Sequence, residues 1–209
     1  MQEVVVDDLF PFDDTPEVDH WAFAKASNDC EVYVMVLEKA IAKVFGSYEA
    51  IESGKPHQAF MMLTGFPSDI IYSNRTNPYD LWASLLEATS QDQMALATVN
   101  SSTNGLTKSI RTNGLPNHLS CRVVDLFEIK LTPKSSVKLL KFKQNITTFD
   151  KFPGLPVWEA TSKQWLKEVQ KQRKGEVYEV GTFWMDIKTF MEKFYSVTVC
   201  HWQPNYGYC

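Results

Sequence analysis

The sequence predicts an α+β fold in which a helical first part is followed by a β-rich, mostly antiparallel section. Two observations carry this. From Asp29 to about Ser90 the apolar residues recur at steps of three and four, as on one face of a helix. After Ala95 the apolar segments become short and rich in β-branched residues, separated by Asn, Gly, Ser and Pro clusters. Helices first and strands later define an α+β class rather than an alternating α/β one. With further helices interspersed in the sheet section, the boundary is expected near Gly65: a helical part over residues 1–65, a β-rich part over 66–203 and a short tail over 204–209.

Val4-Val5-Val6 reads as a short strand ended by Asp7-Asp8 and the turn formers Pro11, Asp13 and Asp14. Val34, Leu37, Ile41 and Val44 form a helical stripe widened by Tyr33 and Ala40, with Ser27, Asn28 or Asp29 as N-cap and Gly46 as stop. Two shorter helices are expected at Tyr48–Ser53 and, opened by Pro56, at His57–Leu63. Asn77-Pro78 punctuates before a helix over Tyr79–Thr89, whose stripe is Leu81, Trp82, Leu85 and Leu86. Strands are expected at Ala95–Asn100, Leu119–Leu131 and Val137–Phe142. A last helix carries Ile187, Phe190, Met191 and Phe194 behind Asp186 as N-cap, and Tyr195–Trp202 alternates as a strand.

Composition excludes several classes. A net charge of −4 gives no electrostatic case for nucleic acid. No apolar run approaches the roughly 18 residues needed to span a bilayer. The start, Met1-Gln2-Glu3, carries no basic or signal-like region. Four cysteines, Cys30, Cys121, Cys200 and Cys209, are too sparse for a disulfide scaffold. Together these lead us to expect an intracellular, cytoplasmic protein with free thiols.

Several motifs resemble the calpain catalytic domain, a branch of the papain-like cysteine peptidases. Val4-Val5-Val6-Asp7-Asp8 with Pro11 is similar to the family's V-V-V-D-D-x-x-P. Leu37-Glu38-Lys39-Ala40, Ala42-Lys43 and Gly46-Ser47-Tyr48-Glu49-Ala50 follow L-E-K-A-x-A-K-x-x-G-S-Y-E-A, and Leu63-Thr64-Gly65 resembles the end of its first half. Gly114-Leu115 with His118 resembles the strand bearing the family's histidine. Gly154, Trp158, Ser162 and Trp165 resemble the G-x-W-S-D-x-S-x-x-W segment, with two more residues between the Gly and the first Trp. Phe183-Trp184-Met185 with Phe190 and Phe194 matches F-W-M-S-x-x-D-F-x-x-x-F. The resemblance implies a papain-like fold, with the end of a helical half facing a β-rich half across a cleft.

It also implies a chemistry: a thiolate nucleophile, an imidazole base, an amide orienting that base and an oxyanion donor. The family's Cys and Gln lie in a Q-x-x-x-x-x-C-W context, and no cysteine of this chain is followed by Trp. His118 is the family-equivalent base, but Asn117, Leu119 and Ser120 stand where Gly and Ala-Tyr are usual. Asn145, with Gln144 beside it, is the candidate amide, without the family's Pro-Trp-Gly after it. The expectation is a calpain-like domain that is catalytically degenerate and serves as a structural or interaction module in a larger protein. The alternative is part of an active calcium-dependent cysteine endopeptidase whose nucleophile lies upstream.

Other residues offer donors or nucleophiles. Cys30 sits near a helix start, where the dipole favours thiolate, but Asp29 and Glu31 oppose it. Cys121, three residues after His118 on a strand, lies about 10 Å away on the opposite face. The pairs His118/Cys121 and Cys200/His201 offer zinc-type donors, against ordinary packing. Family resemblance makes calcium a candidate cofactor, with Asp7, Asp8, Asp13, Asp14 and Glu38 as oxygen donors. Lys163, Lys167, Lys171 and Lys174 with Arg173 recur along a predicted helix. They form either a solvated face or a basic strip for an acidic protein surface such as a cytoskeletal filament.

Overall fold

Tyr33–Phe45 form helix α1, the main element of the first of two compact units, Met1–Gly54 and Lys55–Cys209. The structure, a computed structural model, describes residues 3–12, 22–24, 32–52, 54–99, 119–132, 135–143, 172 and 181–202.

Helix α1 ends where expected: Gly46 adopts φ +101°, a left-handed cap that only glycine enters without strain, and Lys43 places a cation in the last turn. Its N-cap is Val32, which makes no side-chain capping bond. The expected cap residues Ser27, Asn28 and Asp29 lie outside the described residues. The helix expected at Tyr48–Ser53 is a single 3₁₀ turn, Glu49–Ile51. The Ala50 amide donates to Ser47 Oγ at 3.2 Å to open it, and Gly54 and Pro56 follow too soon for a longer helix.

The strand expected at Val4–Val6 does not form. Lysines of α1 take the Val5 carbonyl and two just after this stretch, where a sheet ladder was expected. Lys43 Nζ donates to Val5 O at 2.6 Å, and Lys39 Nζ donates to the carbonyls of Asp7 and Leu9 and to the Asp7 carboxylate. The same ammonium lies 5.4 Å from the Phe10 ring centroid. Three successive valines favour a strand only if a neighbouring strand is there to pair with them.

In the second unit, α2 (Pro56–Thr64) opens with Pro56 in its first turn and closes on Gly65 at φ +71°. Helix α3 (Pro78–Ser90) begins at Asn77, whose Oδ1 accepts from the Tyr79 and Asp80 amides at 2.9 Å each. Helix α4 (Ile187–Lys193) begins at Asp186, which accepts from Lys188 N at 3.1 Å and Thr189 N at 3.0 Å. Asp186 is the cap the sequence indicates, and Asn77 belongs to the Asn-Pro punctuation expected before α3.

Among the described residues six strands form one sheet: β1 Ser68–Tyr72, β2 Met94–Thr98, β3 Ser120–Thr132, β4 Ser135–Lys143, β5 Thr182–Asp186 and β6 Ser196–Cys200. Their order is β1-β6-β2-β3-β4-β5, and every pairing is antiparallel. Two strands were not expected. β1 is short and half polar, and β5 is buried at four of its five positions, so neither shows an alternating pattern. The expected alternation of β6 also fails, since all five of its residues are buried. β6 lies between β1 and β2, covered on both faces.

On one face Val197 and Val199 join the main core with Leu81, Trp82 and Leu85 of α3 and Phe190 of α4. On the other, Cys200 packs with Phe60 of α2 and Phe66. The main core centres on Phe142 of β4, which is fully buried. Its ring stacks on those of Phe183, Phe190 and Phe194, with centroids 5.1, 5.6 and 5.3 Å away. This four-ring cluster ties β4 and β5 to α4. Phe142→Ala should therefore cost about 3–5 kcal/mol of unfolding free energy in denaturant titrations. A loss below about 1 kcal/mol would show that the ring cluster is not the packing centre.

Candidate functional site

The described end of the β3/β4 hairpin is where the sequence points for chemistry. Arg122 of β3 pairs with Lys143 of β4, so Ser120 and Lys143, the strand ends, lie at the same end of the hairpin. In the sequence His118 precedes Ser120 by two residues and Asn145 follows Lys143 by two. His118, Gln144 and Asn145 themselves lie outside the described residues. The same holds for Cys30, Cys209, Asp13, Asp14, the Gly154–Trp165 motif, and the lysines and arginine of the basic strip.

Leu119, next to His118, is 6% exposed and belongs to the main core; its carbonyl accepts from Val99 N at 2.9 Å. Ser120 is exposed, with its Oγ 3.4 Å from Thr98 Oγ1 of the neighbouring strand. The departures from the family's histidine segment therefore have structural roles: a large aliphatic group enters the core where alanine is usual, and a hydroxyl pair replaces an aromatic ring.

The two described thiols are packing groups. Cys121 is opposite Ala97 in the β2/β3 register and fully buried in the main core. Burial pushes its thiol up to about 12, well above the usual 9.0, because the apolar surroundings disfavour thiolate. That is the reverse of what an attacking cysteine needs. Cys200 is also fully buried, with its Sγ 3.8 Å from Thr64 Oγ1.

The candidate metal donors separate. Cys200 turns into the core beside Phe60, whereas the half-exposed His201 places Nε2 2.8 Å from Asp69 Oδ2 on β1. Adjacent strand residues face opposite ways, so this pair cannot converge on zinc. Among the suggested calcium donors, the Lys39 ammonium bonded to Asp7 holds that carboxyl below its usual value of 3.8. Glu38 Oε2 accepts from Ala24 N at 2.9 Å. Among the described residues no three His, Cys, Asp or Glu side chains gather to hold a metal ion.

One group was not singled out in the sequence. Lys138 of β4 places Nζ 5.0 Å from the Tyr79 ring and 5.3 Å from the Trp82 ring of α3. The spacing of Tyr79 and Trp82, one helical turn apart at a capped N-terminus, was visible; the strand lysine above them was not.

Among the described residues, a six-stranded antiparallel sheet with helices packed on both its faces is an α+β arrangement of the papain-like kind. The chain belongs to the calpain family: the family model described as calpain family cysteine protease matches residues 1–201. Over 205 residues the chain is 27% identical to the calpain-1 catalytic subunit of Rattus norvegicus and 26% identical to that of Homo sapiens. Each match covers 97% of this chain and 28% of the relative. Calpain-12 of Mus musculus is 27% identical over 208 residues, covering 97% of this chain and 27% of that protein. The chain thus spans little more than a quarter of the length of these relatives. Among the described residues, no helix is long and apolar enough to cross a membrane.

Burial of Cys121 has a measurable consequence. A thiol raised in the folded state stabilises the fold fully below its unfolded value near 9.0, and that contribution is lost as pH rises towards about 12. Between pH 9 and 12 the native protein should lose stability faster than Cys121→Ala, by roughly 1.4 kcal/mol per pH unit. Parallel pH profiles for the two proteins would show that Cys121 ionises as freely in the folded chain as in the unfolded one.

Proposed function

We propose that this calpain-family domain is catalytically degenerate and serves as a structural or protein-interaction module within a larger protein or assembly. In this reading residues 1–65 end the helical catalytic subdomain, residues 66–203 form the β-rich one, and His118 and Asn145 occupy the family's base and amide positions without acting as a pair. One contrast carries the reading. The packing residues of the family are in place: the Phe183-Trp184-Met185 strand is buried and Phe190 and Phe194 complete the aromatic cluster. The residues that shape a catalytic histidine and asparagine are not, since Asn117, Leu119 and Ser120 flank His118 and no Pro-Trp-Gly follows Asn145.

The described thiols support it from another side. Neither Cys121 nor Cys200 has water access, and a nucleophile must meet its substrate. We place the protein in the cytoplasm, with an acidic or cytoskeletal partner for the Lys163–Lys174 strip. Calcium is a candidate ligand by family resemblance only.

A second reading is favoured by coverage. Because the curated relatives extend far beyond the matched region, a nucleophile and glutamine could be supplied by sequence outside this chain. The domain would then be part of an active calcium-dependent cysteine endopeptidase. An epoxide probe directed at cysteine peptidases, applied with calcium to the full-length gene product, separates the two. Degeneracy predicts no covalent adduct by intact-mass analysis. An adduct on a cysteine, abolished by His118→Ala, would establish the second reading.

A further inference from the structure

Helix α1 turns its charged face to its own chain and leaves its apolar face open. Tyr33, Val34, Leu37, Ile41, Val44 and Phe45 gather on one side of the helix, the side that normally meets a core. Here Tyr33, Val34, Leu37, Val44 and Phe45 are all exposed, Leu37 at 42% and Val44 at 54%, and Ile41 is half-buried. The opposite side is the one in use. There Glu38 accepts from Ala24 N, Lys39 donates to Asp7 and Leu9, and Met35 and Ala42 are buried.

Scattered apolar residues occur on every protein surface, but this stripe is contiguous and belongs to a wider imbalance. Among the described residues, every large apolar side chain left exposed lies within residues 1–65, apart from Tyr79, Leu86 and Tyr195. The β-rich part has closed its core and the helical part has not. Within Met1–Gly54 the buried apolar residues among those described are Met35 and Ala42. Two such side chains cannot offset the roughly 1–2 kcal/mol of backbone entropy that each ordered residue costs. The unit needs a cover.

The face itself selects the kind of cover. The stripe holds no charged side chain, and its residues recur at the steps of three and four that form ridges for helix packing. Its 13 residues run for about 20 Å, which matches a helix of equal length. The need is also permanent, so the occupant must always be at hand. A segment of the same polypeptide meets that condition, since tethering supplies an effective concentration of about 1 mM. In the relatives such sequence exists: the match takes in 28% of the calpain-1 catalytic subunit of Rattus norvegicus and 27% of calpain-12 of Mus musculus, so most of each lies outside it.

We propose that the open face of α1 seats an amphipathic helix of the full-length gene product from outside these 209 residues. That helix lays its own apolar stripe on Leu37, Ile41 and Val44 and completes the core of the helical part. The proposal rests on the reading of the domain as a module of a larger protein and names the surface by which that protein holds it. Degeneracy is read separately, by the epoxide probe, so the two can fail independently.

Photo-crosslinking in the full-length gene product tests it. Leu37→p-benzoylphenylalanine and, separately, Val44→p-benzoylphenylalanine are irradiated, and the cross-linked peptides are mapped by mass spectrometry. The expected product keeps the mass of one polypeptide and joins α1 to a segment outside the 209 residues. A cross-link to residues 1–209 of the same molecule would overturn the proposal, because the chain would then cover itself. So would a cross-linked pair of copies, a cross-link to a different protein, no cross-link at either site, or a gene product with no sequence beyond these residues. Amide hydrogen exchange gives a second readout. Leu37→Asp should speed exchange across Tyr33–Phe45 at least roughly tenfold in the full-length product, where it buries a charge, and leave it unchanged in the 209-residue chain. Equal effects in the two proteins would overturn the proposal as well.

Discussion

The second unit depends on β6. β1 and β2 do not pair with each other; each pairs instead with β6, residue for residue from Ser196 to Cys200. A five-residue strand near residue 200 therefore joins segments that lie a hundred residues earlier in the chain. Its two faces serve different layers, with Val197 and Val199 towards α3 and α4 and Cys200 towards α2. Such pairing is non-local, and its loop-closure cost is repaid only when the apolar groups on both faces are buried together. The complete burial of β6 is what makes that repayment large enough.

This arrangement explains why scaffold and chemistry can diverge. The Phe142 cluster and β6 are held by contacts inside the second unit, and neither requires a working histidine. Leu119, next to the family's base position in sequence, packs in that core.

Much of the fold was legible because local signals agreed with tertiary structure. Asn77-Pro78 before the Leu81, Trp82 and Leu85 stripe located α3, and Asp186 before Ile187 and Phe190 located α4, since a cap and an apolar face point to the same helix. Val4–Val6 misled because strand preference reflects fit to a neighbouring surface, and a lysine of α1 took the Val5 carbonyl instead. β1 and β5 were missed because a short or fully buried strand shows no alternation. Of the candidate site, His118 and Asn145 rest on family motifs alone and lie outside the described residues, whereas the inertness of Cys121 followed from its place on a strand. The placement of Lys138 over Tyr79 and Trp82 was not legible, because strand and helix meet there only in the folded chain.

The claim that the fold outlived its chemistry is tested most directly by turnover. Hydrolysis of a fluorogenic peptide by the full-length gene product, with calcium, should equal that of its His118→Ala variant and of a buffer blank. Calcium-dependent hydrolysis that disappears in His118→Ala would mean that the imidazole still takes a proton from a nucleophile, and the account would be wrong.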